Sequence, residues 1–266
     1  MLNQLNAVVM KKVLIITWTV IMLVIILFFI KHLHEKNITS TMDLSQYIDK
    51  STDVFSKHTL DSLILTNEYI LLTIGYGDCS LCDILRLDNT PDKFPVGRYY
   101  IDATYDNNNM LVMQSLYFSG FPVSYVINQD YNIIGAMTGL VDLEERLDSI
   151  INGQHRLLPK IIHDIPKAKT HSLLSNSFKG LLAYLENDRE NMRKYAKASL
   201  NEGSFFFNNY LIYEYFKELH CIDSTNYYKE QMLNDISGRD AYFYETLLIE
   251  IDPSNDALLW LHHHEH

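Results

Sequence analysis

Tyr69-Ile70-Leu71-Leu72-Thr73-Ile74-Gly75-Tyr76-Gly77-Asp78-Cys79-Ser80-Leu81-Cys82 is the stretch on which the fold turns. The apolar run Tyr69 to Ile74 reads as a strand, and two cysteines separated by two residues follow it at once. From Ser80 to Leu87, apolar Leu81, Ile84 and Leu85 recur at helical spacing, and Asp88-Asn89-Thr90-Pro91 ends the helix. Strand, CxxC, helix is an arrangement in which the unpaired amides of a helix N-terminus can lower the pKa of the first thiol and make it a nucleophile.

Downstream the chain keeps alternating. Arg98-Tyr99-Tyr100-Ile101 predicts a short strand closed by Asp102, and Asn107 to Tyr117 a helix. Gly120-Phe121-Pro122 leads into the strand Val123 to Ile127. Asn128-Gln129-Asp130 supplies turn chemistry, and Tyr131 to Met137 is the returning strand of a hairpin. Val141 to Ile151 then reads as a helix capped at Asn152-Gly153. Upstream, Leu63-Ile64-Leu65 and Glu68 to Ile74, separated by Thr66-Asn67, predict a hairpin or two successive strands.

This order resembles a thioredoxin-like domain, in particular the membrane-anchored extracytoplasmic kind called TlpA-like. The resemblance covers about Ser56 to Gly153. It is carried by Cys79-Ser80-Leu81-Cys82 at a strand-to-helix junction and by Gly120-Phe121-Pro122-Val123, 43 residues on (122 minus 79). It implies a central mixed sheet flanked by helices, with Cys79 as the exposed nucleophile and Cys82 as the buried resolving thiol. It further implies a cis peptide at Pro122, with Phe121 presenting backbone groups to an extended substrate. The implied substrates are protein thiols or disulfides, exchanged with a separate redox partner, without any cofactor.

Two features depart from the family pattern. Asp78 stands where an aromatic residue often precedes the first cysteine, and a carboxylate there should raise the thiol pKa. The family also commonly buries an acidic residue in the preceding strand, whereas that strand here offers only Thr73 as a polar group.

A membrane anchor precedes this region. Val13 to Ile30 is an uncharged run of eighteen residues, just long enough to cross a hydrocarbon core. A signal peptide would have a shorter apolar core and a small-residue cleavage site. Here the run is followed by Lys31-His32-Leu33-His34-Glu35-Lys36. Residues 1–12 are expected to be cytoplasmic, 13–30 to span, 31–54 to form a polar stalk, and the rest to face the periplasm or cell exterior.

After Gly153 the strand signals stop. Residues 154–171, with Pro159 and Pro166, predict a linker. Residues 172–266 predict an all-α region: Ser172 to Leu185, Asp188 to Leu200, Phe205 to Leu219, Ser224 to Ile236 and Arg239 to Ile251. Starts at Ser172, Phe205 and Arg239 are 33 and 34 residues apart (205 minus 172; 239 minus 205), a period that resembles tetratricopeptide repeats. Such an array offers a docking surface for a partner protein, or packs on the sheet and completes its core.

Composition excludes several classes. A net charge of −11 without a Lys/Arg cluster argues against nucleic acid as a partner. Three cysteines cannot scaffold a fold, and zinc would need a second pair, whereas Cys221 stands alone in another region as a partly buried thiol. Met110, Met113 and Met137 read as core filler, and the histidine-rich tail His262 to His266 as a solvated end, so no metal site is expected. Two functions stay open: a thiol–disulfide oxidoreductase, and a membrane-anchored protein-binding scaffold whose thioredoxin-like domain is not catalytic.

Overall fold

The computed structural model describes residues 54–77, 79, 82, 96–116, 121–139, 142–153, 167–234, 236 and 238–253, all within one compact unit, Thr52–His266. The expected span Val13–Ile30, the expected stalk up to residue 53, Asp78, all but Cys82 of the expected helix Ser80 to Leu87, the linker residues 154–166 and the histidine tail lie outside them. Among the described residues no helix is long and apolar enough to cross a membrane.

The first element corrects an expectation. Leu63-Ile64-Leu65 belong to helix α1, Lys57–Thr66, not to a strand. Ser56 caps it, its Oγ accepting the Thr59 amide at 3.1 Å. Leu60, Leu63 and Ile64 recur at helical spacing and face the core, while Leu65 is 85% exposed. Three consecutive apolar residues fit either period; the cap and the exposed Leu65 distinguish helix from strand. At the other end, Asn67 returns to extended backbone and its Nδ2 donates to the Leu63 carbonyl at 2.9 Å.

β1, Tyr69–Gly75, is buried along all but its first residue, as a strand covered on both faces must be. It pairs in parallel with β2, Val96–Asp102, and antiparallel with β3, Val123–Asn128. β3 pairs antiparallel with β4, Ile133–Thr138, giving the order β2-β1-β3-β4. A parallel pair requires a crossover, and here the crossover carries both cysteines. Helices α2, Asn107–Leu116, and α3, Leu143–Ile151, complete this part. A mixed four-stranded sheet flanked by helices is compatible with the thioredoxin-like expectation.

Alternation along the strands separates two cores. One face carries Leu71, Val126 and Met137 against Leu147 and Ile150 of α3. The approach is close at Gly135, where a Cβ would stand 2.5 Å from the Ile150 side chain. The other face carries Ile70, Leu72, Ile74, Tyr99, Ile101 and Tyr125, covered by α1 and α2. Asn109, fully buried, ties this layer together: its Oδ1 accepts the Phe55 amide at 2.6 Å and its Nδ2 donates to the Asp102 carbonyl at 2.9 Å.

The remaining helices are α4 (Lys167–Leu185), α5 (Arg189–Glu202), α6 (Phe206–Glu218), α7 (Ile222–Asn234) and α8 (Gly238–Ile251). The pattern matches expectation except that α4 begins five residues early, immediately after Pro166 in the chain, where proline cannot object to a helix start. Asn187 and His220 take left-handed backbone at the α4–α5 and α6–α7 turns. Asn208, buried in the first turn of α6, donates to the Gly203 carbonyl at 2.8 Å and to Ser199 Oγ of α5 at 3.1 Å.

This helical region shares the second core with the sheet. Phe178 of α4 meets Phe55 edge-on, with centroids 6.2 Å apart. Ser177 Oγ donates to the Ser115 carbonyl at 2.8 Å, Ser175 Oγ accepts the Ile133 amide at 2.9 Å, and the Tyr244 hydroxyl donates to the Gln114 carbonyl at 3.4 Å. The helices therefore cover α2 and β4. Cys221 is exposed at the α6–α7 turn, which corrects the expectation of a partly buried thiol.

Candidate functional site: a disulfide at the end of the central strand

β1 delivers the chain to the edge of the sheet at Gly75, and hydrogen bonds from the neighbouring strand end shape the turn beyond it. The Ala103 amide donates to the Gly75 carbonyl at 2.9 Å. Asp102 Oδ1 then accepts the Gly77 amide at 3.2 Å, the Thr104 amide at 2.8 Å and the Thr104 hydroxyl at 2.7 Å. Gly77 adopts φ +49°, a left-handed turn that glycine takes without strain. The Cys79 amide closes the turn on the Gly77 carbonyl at 2.8 Å.

Cys79 and Cys82 are joined by a disulfide, with Cα atoms 5.2 Å apart. The two sulfurs are unequally placed. Cys79 is half-buried, while Cys82 is 1% exposed and has helical backbone. The Cys82 amide points back at Cys79, 2.9 Å from its carbonyl and 3.2 Å from its Sγ. An N–H donor at a sulfur favours its thiolate form.

The ladder between β1 and β3 ends at Ile74 opposite Val123, so Phe121-Pro122 enters the sheet beside Gly75 and Tyr76. The Phe121–Pro122 peptide is cis. Pro122 is buried and its carbonyl accepts the Gly139 amide at 3.1 Å. The half-exposed Phe121 ring stacks on Tyr76 with centroids 4.8 Å apart. Thus the two regions singled out in the sequence, Cys79–Cys82 and Phe121–Pro122, lie at the same end of the sheet.

Beneath them lies a row of hydroxyls. Register places Tyr100, Thr73 and Ser124 side by side across β2, β1 and β3, on the face that α3 covers further along. Thr73 Oγ1 and Ser124 Oγ are 2.8 Å apart, and both residues are buried. Gly75 follows Thr73 on the same face; a Cβ there would collide with the Tyr100 hydroxyl and stand 3.0 Å from Cys82 Cβ.

Sequence reading missed Tyr76, Tyr100, Asp102 and Ser124. Asp102-Ala103-Thr104 at a strand end is a local turn signal that could have marked Asp102 as a loop anchor. The others depend on strand register. Among the described residues no group of three or more His, Cys, Asp or Glu could hold a metal ion. Met113 and Met137 are core residues, as their spacing indicated. No protein-family model and no curated protein matches this chain.

Proposed function

We propose that this protein is a thiol–disulfide oxidoreductase of the TlpA-like, thioredoxin-related kind, acting on protein thiols or disulfides. The observation that carries the reading is the asymmetry of the Cys79–Cys82 disulfide. Cys79 is half-buried with its sulfur hydrogen-bonded by a backbone amide, whereas Cys82 is buried. A substrate thiolate attacks Cys79 Sγ and forms a mixed disulfide. The Cys79–Cys82 bond breaks, and its electron pair leaves on Cys82 as a thiolate. In reverse, Cys82 attacks Cys79 and expels the substrate thiolate. Phe121 and Pro122 border the groove in which the substrate lies. Val13–Ile30 tethers the chain, with residues 55–153 as the redox domain and 172–266 as a tetratricopeptide-like region that selects the client, outside the cytoplasm.

The test is disulfide reduction of insulin by the full-length chain in detergent, with dithiothreitol as electron source. Wild type should accelerate reduction, and Cys79→Ser should lose at least a hundredfold of that rate. A wild-type chain inactive as both reductant and oxidant would refute the proposal.

A second reading, a membrane-anchored binding scaffold, is favoured by one surface feature. Leu219, Ile222 and Tyr227 are exposed near the α6–α7 turn, Ile222 at 72%. In that case a Cys79→Ser, Cys82→Ser double variant keeps partner pull-down and phenotype, which the oxidoreductase cannot.

A further inference from the structure

A buried thiolate needs a partner, because desolvation disfavours its charge by several pKa units unless a donor or cation faces it. Cys82 is 1% exposed and becomes the leaving thiolate whenever the disulfide opens. The row beneath it, Tyr100, Thr73 and Ser124, carries hydroxyls and no carboxylate. Thr73 and Ser124 are engaged with each other. The Tyr100 hydroxyl reaches further, into the space that Gly75 leaves by having no side chain. That same space is bounded by Cys82 Cβ at 3.0 Å from where a Gly75 Cβ would be. Tyr100 and Cys82 therefore converge on one point at the inner end of the disulfide. The strand alternation that turns Tyr99 into the opposite core sends Tyr100 to this face.

We infer that Tyr100 is the positioning residue for the resolving thiol, its hydroxyl donating a hydrogen bond to the Cys82 thiolate released when the disulfide opens. This inference rests on the oxidoreductase reading for its use, though not for its measurement. In the step, the attacking thiolate bonds to Cys79 Sγ and the Cys79–Cys82 bond breaks. The electron pair stays on Cys82 Sγ, held by the Tyr100 O–H until a proton arrives from water. No proton leaves the phenol. A donor of this kind stabilises the reduced pair, so removing it must favour the disulfide.

The experiment is redox equilibration of the full-length chain in detergent against dithiothreitol mixtures at neutral pH, read by thiol alkylation and mass. Thiol pKa values come from the pH dependence of alkylation. Tyr100→Phe keeps the ring and deletes the hydroxyl. It should shift the equilibrium three- to tenfold toward the disulfide, tenfold being about 30 mV, and raise the Cys82 thiol pKa. Tyr100→Leu, a second hydroxyl-free side chain, should shift it the same way. Equilibrium and Cys82 titration unchanged within about 1.5-fold in a folded Tyr100→Phe variant would overturn the inference. The insulin assay separates the two failures. Turnover with no shift refutes Tyr100 alone, whereas a shift without turnover sustains Tyr100 and refutes the oxidoreductase reading.

Discussion

Thr73 and Ser124 face each other across the central strand pair with their hydroxyl oxygens 2.8 Å apart, both shut away from water. Each satisfies the other at a level of the sheet where an unpaired hydroxyl would cost about 1–3 kcal/mol. Thr73→Val or Ser124→Ala alone should therefore destabilise by that order, each leaving a hydroxyl stranded. The double variant should recover about 1 kcal/mol relative to the sum. Urea midpoints of the four proteins give the coupling; strict additivity would show that the pair is not a unit.

Phe178 ties stability of the sheet to a helix far along the chain. It is fully buried, against Phe55 on the sheet side. Phe178→Ala should cost about 3–5 kcal/mol, the range for deleting a buried aromatic ring. Because one core spans both parts, native-state hydrogen exchange should lose protection equally in β1 and α5. Loss confined to α4–α8 would mean that the sheet stands without them.

Asp61 sets an acid-side dependence. Burial alone would push its carboxyl up, but hydrogen bonds from Lys57 Nζ and the Tyr131 hydroxyl outweigh burial and hold it below its ordinary range. A folded-state pKa below the unfolded one means that the unfolded chain binds more protons at acid pH. The contribution is complete above the unfolded pKa and is lost as pH falls through the folded one. The stability gap between wild type and Asp61→Asn should accordingly hold steady above about pH 5 and narrow as pH falls from there to about pH 2. A gap constant across that range, in urea midpoints, would contradict the assignment. The pair is partly exposed, so the effect is modest.

Most helices were legible because their signals are local. Asp188, Gly203 and the apolar spacing between them mark α5 to within two residues of the observed Arg189–Glu202. The Cys79–Cys82 pairing and the cis peptide at Pro122 were legible for the same reason, each lying in a short run of unusual composition. α1 was misread because Leu63-Ile64-Leu65 has no period of its own. The hydroxyl row was beyond reach, since placing Tyr100 beside Thr73 requires the parallel register of β1 on β2. Cys221 is another such case: its exposure follows from the left-handed turn at His220, and neither neighbouring residue announces that turn.

Gln114 meets Tyr244 across 130 residues of chain. Protein synthesis is directional, so the sheet, α1 and α2 leave the ribosome long before α4 to α8 exist to cover them. During that interval the outer side of α2 and the Phe55 ring stay open to solvent, or to whatever holds nascent chains. Closure of the molecule is a late event. A premature stop anywhere between the sheet and Tyr244 yields a chain with Cys79, Cys82, Phe121 and Pro122 in place, but with an apolar wall unfinished.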